Sequence, residues 1–270
     1  MNAGLRIVHL TDLHFGFHHP ELVQPLADAV NATVPAQIVI TGDLAHRARD
    51  DHFDMVRDFL RRLQAPVMCV PGNHDVPLYN VPGRISQPYA AYRQAVTGPR
   101  EPIVDLPGAR IVGLNSIARL YWRQGRAWPH RISRVVAALQ AAPPGALRVV
   151  AVHHPFAQPA DATKALMIGA AEGLARLAEA GCDMILSGHL HDWAVGPFDD
   201  ADPGPPGILQ LHGGSALCRR ATDPVTEFML IDIAQPLLRV TRHLCPTGDD
   251  KFTAEPTLTY RRADGRWLRD

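Results

Sequence analysis

Neither sign of charge prevails in this chain of 270 residues, where 27 Lys and Arg stand against 27 Asp and Glu. So balanced a chain projects no general field toward nucleic acid or an anionic membrane. Its basic pairs, such as Arg219-Arg220 and Arg261-Arg262, are isolated and read as solvated surface rather than as a binding stripe. Cysteine is scarce. Cys69, Cys182, Cys218 and Cys245 show no paired spacing, and three lie in or beside strand-like runs. That excludes a disulfide framework and points to buried thiols in a reducing compartment. No stretch approaches the roughly 20 apolar residues of a membrane span. Arg6 and His9 interrupt the amino-terminal run before it can serve as a signal core. Internal repeats and long low-complexity segments are also lacking. The expectation is a cytoplasmic protein with neither a nucleic-acid nor a membrane partner.

Apolar residues are plentiful, at 46% of the chain, enough at this length for one large α/β domain with a substantial core. Five short apolar runs read as strands buried on both faces: Leu5–Leu10, Gln37–Ile40, Val67–Val70, Leu147–Val152 and Met184–Leu186. Each leads into a polar cluster. The clusters are Asp12-Leu13-His14, Gly42-Asp43, Gly72-Asn73-His74-Asp75, His153-His154 and Gly188-His189-Leu190-His191. In open α/β sheets the ligand crevice lies beyond the carboxyl ends of the strands, so clusters distant in sequence can meet there. Asp12 and Asp43 are 31 residues apart, and Asp43 and Asn73 are 30 apart. A strand, crossover helix and parallel strand take roughly 30 residues, so the first three clusters should top three strands of one sheet.

Helices are expected over Glu21–Ala32 and Asp51–Leu63, the latter with Phe53, Val56, Leu60 and Leu63 at helical spacing. Another, Lys164–Ala180, carries Leu166, Ala170, Leu174 and Leu177 on one stripe before Gly181 ends it. Residues 76–100 read as a long loop with a short helix near Gln87–Val96. Ile111–Asn115 reads as a strand, Ile132–Gln140 as a helix, and Asp199–Gly207 as an exposed tip. Ile208–Leu211, Glu227–Ile233 and Leu237–His243 alternate like strands of a second sheet. The domain is expected to span 1–245. The tail, 246–270, holds Leu258, Tyr260 and Trp267 with weak periodicity, and three placements are open to it: over the cleft, at a homodimer interface, or packed on the domain.

Any one polar cluster alone is an ordinary turn or a core histidine. Five in order at crossover spacing make a metal site. Asp12, Asp43, Asn73, His14, His153, His189 and His191 offer two carboxylates, an amide carbonyl and four imidazoles, too rich a set for one ion. Carboxylates mixed with imidazoles suit Mn, Fe or Zn better than Ca or Mg, and no cysteine joins the set to select softer ions. Asp43, on the middle of three strands, is the natural bridge between two ions about 3.5–4 Å apart, the arrangement used for in-line displacement at phosphorus. His74 is left over, beside Asn73, where it could reach a leaving oxygen. His46 and His154 are candidate substrate contacts, with His154 alternatively a support for the ligands or a filler. His212 is a further candidate for lining the cleft.

The ordered set Asp-x-His, Gly-Asp, Gly-Asn-His-Asp, His, Gly-His-x-His spans residues 12–191 and resembles the calcineurin-like metallophosphoesterase superfamily. The GNHD form, the His-His-Pro after a strand and the length most resemble the bacterial class III cyclic-nucleotide phosphodiesterases. The resemblance implies a four-layer αββα sandwich of two mixed sheets flanked by helices. It puts Asp12, His14 and His191 on one divalent or trivalent metal, Asn73, His153 and His189 on the other, Asp43 between them, and His74 outside as the catalytic histidine. It implies hydrolysis of a small phosphodiester, such as a cyclic nucleotide, by in-line attack of a hydroxide held between the metals. Two departures lie near where substrate should rest: Leu44-Ala45-His46-Arg47-Ala48-Arg49 where a Gly-containing turn is usual, and Phe156 where a second proline is frequent. The Asp-Arg-Gly segment and GNHE motif of the Ser/Thr phosphatases are missing. A phosphatase or pyrophosphatase for another nucleotide-linked or lipid-linked ester is the alternative. A nuclease and a non-catalytic metal-binding regulator are remoter ones, disfavoured by the lack of a basic stripe and by the complete ligand set with His74.

Overall fold

Strand β1 (Leu5–Leu10), helix α1 (Val23–Ala32), β2 (Gln37–Ile40), α2 (Asp50–Leu60) and β3 (Val67–Cys69) form two successive parallel crossovers. The structure is a computed structural model describing residues 4–121, 123–196, 198, 207–220 and 225–270. Leu10 lies beside Ile40, and Ile40 beside Cys69, so Asp12, Asp43 and Asn73 leave one sheet edge together. Helix α2 buries Phe53, Val56 and Phe59, with Asp50 and Asp51 in its first turn, where the positive end of the helix dipole favours them.

The chain continues through α3 (Val81–Ser86), α4 (Tyr92–Ala95), β4 (Ile103–Leu106), β5 (Ala109–Leu114), α5 (Pro129–Gln140), β6 (Leu147–Val152), α6 (Ala170–Glu179), β7 (Met184–His191), β8 (Ala194–Gly196) and β9 (Leu209–Gly214). It ends in β10 (Val225–Ala234), β11 (Leu237–Pro246), β12 (Thr253–Ala254), β13 (Leu258–Ala263) and β14 (Arg266–Arg269). Among the described residues these make two mixed sheets. One runs β14-β13-β11-β10-β1-β2-β3, with β12 beside β11, and the other runs β4-β5-β6-β7-β9-β8.

Three apolar layers hold this four-layer αββα stack together. One packs α1, α2 and α4 on the first sheet, through Leu26, Phe53, Phe59 and Tyr92. A second lies between the sheets, through Ile7, Val39, Val149, Leu186 and Ile231. A third packs α5 and α6 on the second sheet, through Ile132, Leu139 and Leu177. Each fully buried Leu, Ile or Phe side chain contributes about 1.5–3 kcal/mol. The middle layer therefore fixes the carboxyl edge of β6 and β7 against that of β1, β2 and β3.

Several elements differ from the sequence expectation, each for a local reason. The helix expected over 87–96 is confined to Tyr92–Ala95, because Pro88 disfavours helical backbone at Gln87 (φ −136°), and a further short helix, Val81–Ser86, lies in the stretch read as loop. Helix α6 starts at Ala170 rather than Lys164, because Gly169 before it is left-handed (φ 77°). The segment 164–168 instead runs beside the site. Strands β10 and β11 join the first sheet, not the second, with Leu5 beside Ile233. Alternation marks which face of a strand is buried, not which strand lies beside it, so the pattern suits either sheet. The tail forms β12, β13 and β14, with Tyr260 buried and Trp267 Nε1 donating to the Asp183 carbonyl (3.0 Å). Of the expected tip, 199–206 lies outside the described residues. No helix among the described residues is long and apolar enough to cross a membrane.

Candidate metal centre

The seven donors leave the ends of β1, β2, β3 and β6 and the last residues of β7, and five of them sit in strained backbone. Asp12 (φ 54°), His14 (48°), Asp43 (50°), His189 (71°) and His191 (66°) are all left-handed, a conformation costing on the order of 1–3 kcal/mol outside glycine. The surrounding strands over-determine it. The loops also press together so closely that two positions admit no side chain. A Cβ on Gly72 would meet Asp43 N at 2.1 Å, and one on Gly188 would meet Thr11 Oγ1 at 1.8 Å. Gly72→Ala is therefore expected to destabilise the fold by about 1–3 kcal/mol through overpacking and to loosen Asp43. Thermal melting and metal titration of the variant check this, and a melting temperature equal to wild type would contradict it.

At one end, Asp12 turns a single oxygen inward. Its Oδ2 accepts from Thr11 Oγ1 (2.8 Å) and from the His189 amide (2.9 Å). Its Oδ1 lies 3.1 Å from His191 Nε2 and 3.4 Å from His14 Nε2. At the other end, His153 Nδ1 donates to the Thr41 carbonyl (2.8 Å), which aims Nε2 at Asn73 Oδ1 (3.2 Å) and Asp43 Oδ2 (3.4 Å). Carbonyl bonds of this kind set the tautomer and orientation of ligating histidines. Asp43 lies between the ends. Its Oδ2 is also 3.6 Å from His14 Nε2, while Oδ1 accepts from the His74 amide (2.8 Å).

The two histidines after β7 part company. The His191 ring stacks on His14 (5.2 Å between centroids), whereas His189 meets His153 edge-on (5.2 Å). Regular alternation would have sent both the same way. The register irregularity between Ser187 and His191 divides them.

The donor set fits cations. Asp12 Oδ1 and both His14 ring nitrogens are buried with no hydrogen-bond partner, a state that buried polar atoms rarely tolerate. Burial alone would raise both carboxyls, but His191 and His14 beside Asp12, and His153 and His74 beside Asp43, hold them well below the usual range. Burial pulls His14 down to about 4 and holds His189 well below its ordinary value, so both are neutral imidazoles ready to ligate. Burial also pulls on His153, yet Asp43 overrides it and raises His153 to about 9. A cation shared with Asp43 would displace that proton.

A cavity of about 490 Å³ opens over the donors, lined in part by Asp43, His46, His74, Arg123, Lys164 and Arg220. A side chamber of about 280 Å³ leads off it, bounded by His46, Asn73, His74, Leu78, Tyr79 and Arg123. His74 Nδ1 lies 2.6 Å from the His46 carbonyl. A carbonyl only accepts, so Nδ1 carries the proton and Nε2 is left for the cavity. His46 lines both spaces. His154 does not: it packs behind His189 (4.5 Å), with Nδ1 on Ser116 Oγ (2.8 Å) and Nε2 on the Arg123 carbonyl (3.0 Å). His212 is also absent from the lining. It is held within β9 by Ser187 Oγ and stacked on Phe198. Arg220, expected as solvated surface, faces the cavity, and Arg262 pairs with the nearly buried Asp183.

Sequence reasoning missed the residues that brace the candidate donors. Asp75 accepts from Gly72 N (2.8 Å) and Ala45 N (3.0 Å), tying the Asp43 loop to the Asn73 loop. Burial, and then Asp43, push its carboxyl up to about 7. Thr11 and Thr41, the polar residues directly after β1 and β2, gave a faint signal by their position. Cys218 was excluded on sequence, yet its sulfur lies with ring nitrogens of His14 and His191, all three within 4.8 Å of one another.

The profile of the calcineurin-like phosphoesterase family matches residues 5–193. The chain is 35% identical over 79 residues to UDP-2,3-diacylglucosamine pyrophosphatase LpxG of Chlamydia muridarum, 28% of this chain and 24% of that one. It is 32% identical over 81 residues to a probable cyclic nucleotide phosphodiesterase of Rhodopseudomonas palustris, 26% of this chain and 30% of that one. The matched stretch thus spans 24% to 30% of these curated relatives. Among solved structures, purple acid phosphatase PPD1 from yellow lupin superposes with a TM-score of 0.73 at 12% identity, over 98% of this chain and 55% of that one. A dimetal phosphatase from Danio rerio superposes with a TM-score of 0.68 at 14% identity, over 97% of this chain and 100% of that one. These likenesses establish the fold.

Proposed function

This chain belongs to the calcineurin-like phosphoesterase family, and on that premise we propose that it hydrolyses a small phosphodiester, a cyclic nucleotide foremost, at a dinuclear metal centre. Metal-dependent phosphoester hydrolysis is the activity of the family. The single observation that carries the dinuclear reading is Asp43 Oδ2, lying 3.6 Å from His14 Nε2 and 3.4 Å from His153 Nε2. Asp12, His14 and His191 would hold one cation, Asn73, His153 and His189 the other, and Asp43 both. Mn, Fe or Zn would polarise the phosphoryl oxygens and bring bound water toward a pKa of about 7.

The chain's own residues do the rest. Arg123 and Lys164 face the cavity as cations to an anionic substrate. His74, when protonated at Nε2, donates to the departing alkoxide while Nδ1 stays on the His46 carbonyl. In a cyclic diester both ester oxygens belong to one sugar, and the side chamber between His74 and Tyr79 provides room for the nucleoside that the phosphate carries. Arg47, 5.2 Å from the Tyr79 ring centroid, braces that wall.

Arg123→Ala is expected to raise KM about 10- to 100-fold with kcat little changed, because a charge-assisted contact of about 1.5–3 kcal/mol is lost from ground and transition states alike. Steady-state kinetics decide it; an unaltered KM would remove Arg123 from substrate binding. The function itself is tested by a panel on manganese-loaded protein: cyclic mononucleotides, an aryl diester, an aryl monoester and a UDP-linked pyrophosphate. Diesters should lead in kcat/KM by about tenfold or more, roughly 1.4 kcal/mol at the transition state. A leading monoester would refute the diesterase reading. The partial match to LpxG supports a second reading, and a leading pyrophosphate would put it in place of the first.

A further inference from the structure

We propose that Cys218 is an additional ligand of the centre, its thiolate joining the cation held by Asp12, His14 and His191 and biasing that position toward zinc or ferrous iron over manganese. The inference rests on the dinuclear reading above and adds a donor that the seven oxygen and nitrogen ligands do not include. Cys218 is 1% exposed, and its sulfur forms a group with one ring nitrogen each of His14 and His191, all within 4.8 Å of one another. At the tetrahedral angles of a zinc sphere, Zn–S of about 2.3 Å and Zn–N of about 2.0–2.1 Å set sulfur and nitrogen about 3.6 Å apart, so binding would draw these atoms together by up to about 1.2 Å.

The placement is built by the chain. After β9, Ser215 Oγ donates to the Asp12 carbonyl (3.2 Å) and Ala216 N to the Thr11 carbonyl (3.0 Å). His19 N donates to the Leu217 carbonyl (2.9 Å), and Cys218 forms a β-bridge with His18. The segment carrying the thiol is thus laced on both sides to the loop carrying Asp12 and His14.

The neighbouring donors are themselves without hydrogen-bond partners. His14 is fully buried, and neither of its ring nitrogens, nor Asp12 Oδ1, has a hydrogen-bond partner. Coordination needs no oxidant: the S–H proton leaves to solvent as the sulfur–metal bond forms, and the metal keeps its oxidation state. Thiolates favour zinc and iron over the harder manganese. Among the described residues, no other cysteine joins such a group of donors.

Zinc-edge X-ray absorption on the wild-type chain loaded with two zinc ions is the test. One sulfur scatterer at about 2.3 Å, shared over the two ions, is expected. Cys218→Ser should abolish it, and zinc-over-manganese preference in equimolar competition should fall about tenfold or more, the scale on which even ligand supports act. A shell of nitrogen and oxygen alone in zinc-loaded wild type, or sulfur persisting in the variant, overturns the proposal. Should the serine variant not fold, the wild-type spectrum and the thiolate charge-transfer band of the cobalt form decide alone. Two metals and turnover without sulfur would sink this inference and leave the function standing. Failure to hold two metals would sink both.

Discussion

Asp43→Ala is expected to empty both metal positions at once. Among the described residues, its Oδ2 is the only carboxylate oxygen within ion-pair reach of both His14 and His153, so its loss removes charge from both ends of the site. Removing a mere support of a ligand costs about 10- to 100-fold in affinity, and loss of the bridge itself should exceed that range. Oδ1 also anchors the His74 amide, so the variant frees the Asn73 loop as well. Metal analysis after dialysis, read beside turnover, gives the result. Asp43→Asn sharpens it by keeping an acceptor for His74 N while deleting the charge. Two metals per chain retained by the alanine variant would defeat the bridging role.

The expected result for His74→Ala has the opposite pattern: metals kept, turnover lost. No metal ligand is touched, and the two-metal content should match wild type. kcat should fall about 10²- to 10⁴-fold, the usual scale for an acid–base residue. KM should change little, because the contact strengthens as the leaving oxygen gains charge. The deficit should shrink for an aryl diester, whose leaving group needs no proton, and stay large for a cyclic nucleotide. Equal losses on both substrates would turn His74 from a proton donor into an electrostatic or positioning group. Unchanged kcat would remove it from the mechanism.

How much of this was legible beforehand follows from which interactions are local. Crossover spacing put Asp12, Asp43 and Asn73 on neighbouring parallel strands, and β1, β2 and β3 are paired so. Chain length between strands and apolar run length are properties of the sequence alone. The start of α6 was misjudged because a leucine stripe outweighed Gly169, one residue whose backbone freedom ended the helix. The sheet membership of β10 and β11 was misjudged because alternation marks a strand's buried face and carries no record of its neighbour.

Residue order by itself determined that seven nitrogen and oxygen donors, with His74, would gather at the ends of buried strands. Only the tertiary structure decided which oxygen of each carboxylate turns inward, that His189 and His191 diverge, and that His154 packs behind His189. It alone brought Cys218 beside His14 and Arg220 to the cavity. The physical reason is that donor identity and strand spacing are written along the chain. The aim of a side chain depends on left-handed backbone, a broken strand register and hydrogen bonds such as Thr11 to Asp12 and His153 to Thr41, whose partners exist only after the two sheets have packed.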